Sequence, residues 1–123
     1  MSRALFVLVL SAVCGCTLGP VRSTSLPQAQ ALIDGGRPAE ARLLLTGDAS
    51  PAAAYWEGVA YLKESRPVDA ATAFRRALSR PLPPDLTAKA WQGLGDACLA
   101  VGDPAGAAAS YERALATDRS GVL

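Results

Sequence analysis

The stretch "WQGLGDACLAVGDPAGAAASYERAL", residues 91–115, reads as two helices joined by a tight turn. Pro104 suits the first turn of the second helix, because its fixed backbone angle matches that turn and the N–H it lacks would have no intrahelical partner there. Asp103 stands immediately before it, where a side-chain oxygen can cap the helix. Three residues past the proline comes Ala107, small enough to let the paired helices approach. From there Ala107, Tyr111, Ala114 and Leu115 recur at helical spacing and make one apolar face.

Working outward, the same turn is spelled twice more: "GRPAEA" at 36–41 and "SRPVDA" at 65–70, against "GDPAGA" at 102–107. Pro38, Pro67 and Pro104 each open a second helix, and Ser50 before Pro51 is a further N-cap. The alanines Ala41, Ala70 and Ala107 are 29 and 37 residues apart. At the offset of 37 the agreement runs on. Gly58 and Tyr61 match Gly95 and Cys98, Ala70 and Phe74 match Ala107 and Tyr111, and "RAL" at 76–78 matches "RAL" at 113–115. The chain therefore repeats a helical hairpin.

Composition agrees with that reading. A chain of 123 residues with 50% apolar content forms one domain and is not mainly disordered. Much of the apolar content is alanine, which favours close helix packing over a core of large side chains. Twelve basic and 11 acidic residues leave a formal charge of +1, against the basic excess that phosphate-backbone binding requires. Nucleic acid is not an expected partner. The absence of histidine removes the commonest general base and metal ligand, and no carboxylate pair stands in a catalytic setting. Cys14, Cys16 and Cys98 lack the number and spacing of a zinc site or disulfide framework. No enzyme activity, metal or cofactor is expected.

The residues Trp91-x-x-Leu94-Gly95-x-x-Cys98, followed by Ala107-x-x-x-Tyr111, resemble the tetratricopeptide repeat, whose period is about 34 residues. Cys98 replaces the usual aromatic, and no proline closes the unit. The second unit keeps Gly58 and Tyr61 but has Ala54 and Glu57 where tryptophan and leucine belong. The first keeps only Leu32, Ala41 and Leu45, with a short second helix. The resemblance implies an all-α fold of TPR-like helical hairpin repeats, two clear and one degenerate, forming a short α-solenoid over residues 26–118 with 119–123 as a tail. The longer spacing is absorbed by "PLPPD", 81–85, an inter-repeat loop with Asp85 as the next helix's cap.

By the same resemblance, the first helices line a concave protein-binding groove. The residues in register there are Gln30 and Ile33 in the first unit, Tyr55, Val59, Leu62 and Lys63 in the second, and Lys89, Gln92, Asp96 and Leu99 in the third. The surface is apolar in the middle and polar at its rim, suited to an extended peptide or a helix. The alternative is that Tyr55, Val59 and Leu62 cover the first repeat. Gly93 and Asp96 stand where a clamp for a terminal carboxylate would want cationic or amide groups, so such capture is not supported. Cys98 and Trp91 read as core residues, and Glu57, Glu64, Asp69 and Glu112 as solvated helix surface. After Thr117 only "DRSGVL" follows, with no capping helix over the last repeat, which points to a partner or a second copy covering that edge.

The N-terminus opens with Arg3 and an apolar run from Ala4 to Val13, a signal-peptide layout too short for a spanning helix of about 20 residues. Its end, "VCGC", resembles the lipobox of bacterial lipoproteins, with Val13, Gly15 and Cys16 in place. Cys14 as acceptor would put bulky Val13 where a small residue belongs. The resemblance implies removal of residues 1–15, a lipid on Cys16 and a tether over 16–25. Thr17, not aspartate, follows the acceptor, which implies the periplasmic face of the outer membrane. The expected function is a membrane-anchored adaptor or assembly factor binding an envelope protein or peptide. The alternative is a non-lipidated secreted or periplasmic subunit acting mainly by homo-oligomerisation.

Overall fold

The computed structural model describes residues 25–122, so Cys16, its flanking signal and most of the tether lie outside the described residues. Six helices follow in order: α1 Ser25–Asp34, α2 Pro38–Leu45, α3 Pro51–Lys63, α4 Pro67–Leu78, α5 Pro84–Ala100 and α6 Pro104–Val122. No strand occurs among the described residues, and the all-α reading holds. None of the described helices is long and apolar enough to cross a membrane.

The three proline-led turns share one backbone solution. Gly36, Ser65 and Gly102 occupy the same place in each, with φ of 81°, 60° and 86°. Around them the chain makes the same pair of bonds: Gly36 N–H to Ile33 and Arg37 N–H to Leu32, Ser65 to Leu62 and Arg66 to Tyr61, Gly102 to Leu99 and Asp103 to Cys98. This is the Schellman closure, which satisfies the last carbonyls of the first helix and turns the chain back. The proline two residues on starts the next helix. Caps at the second helices differ: Asp103 accepts from the Gly106 N–H at 3.0 Å, whereas Arg37 and Arg66 pair with Glu40 and Asp69 three residues on.

Two details depart from the sequence reading. Asp85 does not cap α5. Pro83 precedes the helix and Pro84 is its first residue, so the inter-repeat loop ends before Asp85, which lies in the first turn. At the other end α6 continues to Val122, through residues set apart as a tail. Ser50 does cap α3, its Oγ accepting from the Ala53 N–H at 3.2 Å.

Helices pack as hairpins α1–α2, α3–α4 and α5–α6, and each second helix also packs on the next first helix. The first helices α1, α3 and α5 touch in succession, whereas the second helices make no such contact with one another. Closer spacing on the first-helix side is what curves a stack of hairpins.

Among the described residues the interior has two clusters, joined by Trp56 and Val59, which pack against both. The smaller holds Ala29, Ile33, Ala41, Leu45, Ala53 and Ala60. The larger is built around fully buried Phe74, with Tyr55, Leu94, Cys98 and a majority of alanines. Ala41, Ala70 and Ala107, the alanines after each proline, are 0%, 0% and 1% exposed, as close hairpin packing demands. Phe74 lies between two glycines: a Cβ would come within 2.8 Å of its ring at Gly58 and 2.5 Å at Gly93. In the first repeat Leu45 stands in Phe74's register, and Trp56, in the register of Gly93, packs on the cluster containing it. A large side chain has crossed from one helix to the other.

Candidate functional site

The inner surface is formed by α1, α3 and α5, and the residues assigned to its groove divide into three groups. Ile33 and Tyr55 are core residues, buried in the two clusters. Ile33 is 4% exposed in the smaller cluster, because α3 closes over the short α1–α2 hairpin. Tyr55 is 7% exposed, its ring 4.9 Å from that of Trp56 and 5.8 Å from that of Phe74. Burial, helped by nearby Asp85, pushes its phenol above the usual tyrosine value.

Val59 and Leu62 are half-buried, packed against the core on one side. Leu99 on α5 is 54% exposed, and Gln30 on α1 is exposed. Lys63 lines a shallow hollow at the α1–α2 turn with Ile33, Asp34 and Glu64. The last group belongs elsewhere. Lys89 and Gln92 line a second hollow of about 470 Å³ between α5 and α6, facing Tyr111, Ala114 and Leu115. Asp96 is tied to that side as well, accepting a hydrogen bond from the Tyr111 hydroxyl. That bond, with burial and the carboxylate's charge, pushes Tyr111 up to about 12.

Glutamates read as plain surface prove to be structural. Glu64, at the end of α3, accepts two bonds from the Arg42 guanidinium of α2, the longer at 2.9 Å, with both side chains at most a quarter exposed. The hydrogen bonding with Arg42 holds the Glu64 carboxyl below, and the guanidinium above, their ordinary values. The Arg42 and Arg66 guanidinium carbons stand 4.7 and 5.0 Å from the Tyr61 ring centre. Glu57 likewise pairs with Arg76 at 2.7 Å, linking α3 to α4. Trp91 is half-buried under Arg113, 5.1 Å from its ring.

The Cys98 thiol is buried at 4% exposure, and no metal-holding group of His, Cys, Asp or Glu occurs among the described residues. A curved stack of helical hairpins, entered through prolines and closed by small residues, is the structural sense of the 37-residue match. A model of the tetratricopeptide repeat matches residues 26–85 and again residues 55–122. The chain belongs to the tetratricopeptide repeat family. The overlap of the two matches covers most of the α3–α4 hairpin, so this central repeat is read once with the hairpin before it and once with the hairpin after. Comparison of the chain with curated proteins and with solved structures finds no match.

Membership points to protein–protein interaction, the general work of tetratricopeptide repeats. The sequence reading leaves the edge of the last repeat open to a partner or a second copy, but it places Lys89 and Gln92 in the inner groove and not in this hollow, although a signal for the hollow was present. Tyr111, Ala114 and Leu115 stand 37 residues after Phe74, Ala77 and Leu78, so the repeat itself marks them as a packing face.

Proposed function

We propose that this tetratricopeptide repeat protein is a non-catalytic adaptor that binds an extended segment or helix of an envelope protein along its first-helix surface. The observation that carries the reading is an apolar strip on the curved side: Val59 and Leu62 half-buried on α3, Leu99 54% exposed on α5, and Lys63 at the margin. An alternation of anchored and accessible apolar groups with a charged edge suits a partner held by a few apolar side chains. Its proposed place is the periplasmic face of the bacterial outer membrane, through a lipid on Cys16, which the "VCGC" pattern and the short apolar leader support.

The test is photo-crosslinking in cells from position 63, with capture from detergent-solubilised membranes and mass spectrometry. One envelope protein recovered repeatedly, and lost with Leu99→Glu in a domain that keeps its helical content, is the expected result. Recovery of this chain alone would sink the adaptor reading. Metabolic acyl labelling that persists in Cys16→Ala would remove the lipid assignment.

A further inference from the structure

The hollow between α5 and α6 repeats a site that the chain itself fills one hairpin earlier. On α3–α4, the residues Tyr55, Phe74 and Ala77 are buried in one cluster with Ala90, Leu94 and Ala97 of α5. Their counterparts 37 residues on are Gln92, Tyr111 and Ala114, and all three line the hollow. Leu78 is half-buried, whereas its counterpart Leu115 is 57% exposed. The ring contacts sharpen the comparison. Phe74 is held between Gly58 and Gly93, while Tyr111 rests on Gly95, where a Cβ would come within 2.7 Å of the ring, and borders open space in the hollow. No described helix supplies the second glycine.

We propose that this hollow is a docking site for one amphipathic helix of another protein, seated as α5 is seated on α3–α4, with a glycine against Tyr111. The site goes beyond the inner groove and lies on a different face. Shape sets the first requirement: Tyr111 stands in the register of Phe74, whose ring leaves no room for a Cβ at Gly93 of the helix seated on it. The occupant therefore reaches Tyr111 as closely only where it has no side chain of its own. Charge sets the second. Asp85 and Asp118 line the hollow against one lysine, Lys89, so the helix carries basic residues on its flanks. A second copy of this chain does not meet these terms. In the repeat register its α1 offers Pro27 and Gln28 where α5 has Gly93 and Leu94, a ring in place of a hydrogen and an amide in place of a buried leucine.

The probe is a fluorescein-labelled peptide of residues 83–101, the chain's own α5, carrying Asp85→Lys and Asp96→Lys so that its flanks are basic, titrated with the detergent-purified full chain and followed by anisotropy. Saturable binding is expected, weakened about tenfold or more by Gly93→Leu in the peptide and by Leu115→Glu in the protein. Leu115 is exposed, so its replacement leaves the fold intact, which a circular dichroism melt checks; the peptide variant does not depend on that fold at all. Absence of binding up to ~0.1 mM would overturn the proposal. So would binding indifferent to Leu115→Glu, which would mean that the peptide displaces α5 from α3–α4. A full-length dimer that dissociates on Leu115→Glu would assign the hollow to a second copy and overturn it too.

Discussion

A single hydrogen at Gly93, in place of a side chain, lets α5 close on Phe74. A Cβ there meets three ring carbons at 2.5 to 2.8 Å, and the ring, fully buried, has nowhere to retreat. Gly93→Ala is therefore expected to destabilise the domain by about 2 kcal/mol despite alanine's better helix propensity. Phe74→Leu, costly alone, recovers part of that loss in the double variant, because the smaller side chain vacates the space; denaturant titration of all four proteins gives the coupling. A stabilised Gly93→Ala would show that the ring is not confined. Ser65 makes the opposite case. It holds φ at 60°, where its turn counterparts are glycines, and an L side chain pays roughly 1 kcal/mol for that region. Ser65→Gly is expected to raise the melting temperature by about 5 °C. An unchanged or lower midpoint would refute the strain.

At the scale of elements, the Arg42–Glu64 pair joins α2 to the end of α3, and its pH dependence follows from the direction of the shift. The folded-state carboxyl titrates below its unfolded value, so the folded chain binds fewer protons through that range. The contribution is complete above the unfolded glutamate value and is lost as pH falls through the lower, folded one. Glu64→Gln is expected to cost about 1 kcal/mol at neutral pH and to flatten the fall in thermal midpoint between about pH 5 and pH 3. An acid limb identical in both proteins would place the sensitivity elsewhere. The elements themselves were legible in the sequence, since at each turn a proline is followed three residues on by an alanine, and each has a local physical cause. The candidate groove was less so. Periodicity says which residues share a helix face, but not which neighbour covers it. Tyr55 disappears between Phe74 and α5, Ile33 beneath α3, and Leu115 stays exposed although it shares Leu78's register.

Across the whole molecule, two core clusters meet at Trp56 and Val59, and the first hairpin depends on that junction. Alone, α1–α2 has ten- and eight-residue helices, too short to persist in water without packing. Trp56→Ala is expected to lower stability by roughly 2 kcal/mol. Its effect should also be uneven, with amide hydrogens of α1 and α2 exchanging well before those of α4 and α5. Uniform acceleration in all six helices would mean that the repeats unfold as one unit. The same nearest-neighbour arrangement explains how the inner groove and the α5–α6 hollow can be tested by separate variants, Leu99→Glu and Leu115→Glu, on different faces of α5 and α6.

The alanine lining of the interior also governs how the protein responds to temperature. When such a core opens, each residue presents little new hydrocarbon to water, and the heat capacity of unfolding scales with that area. The increment per residue is thus expected below the usual ~12 cal/mol/K, giving a broad, shallow stability curve. Warming and cooling around the optimum then change the folded fraction little, a form of robustness that comes from small side chains and not from strong contacts.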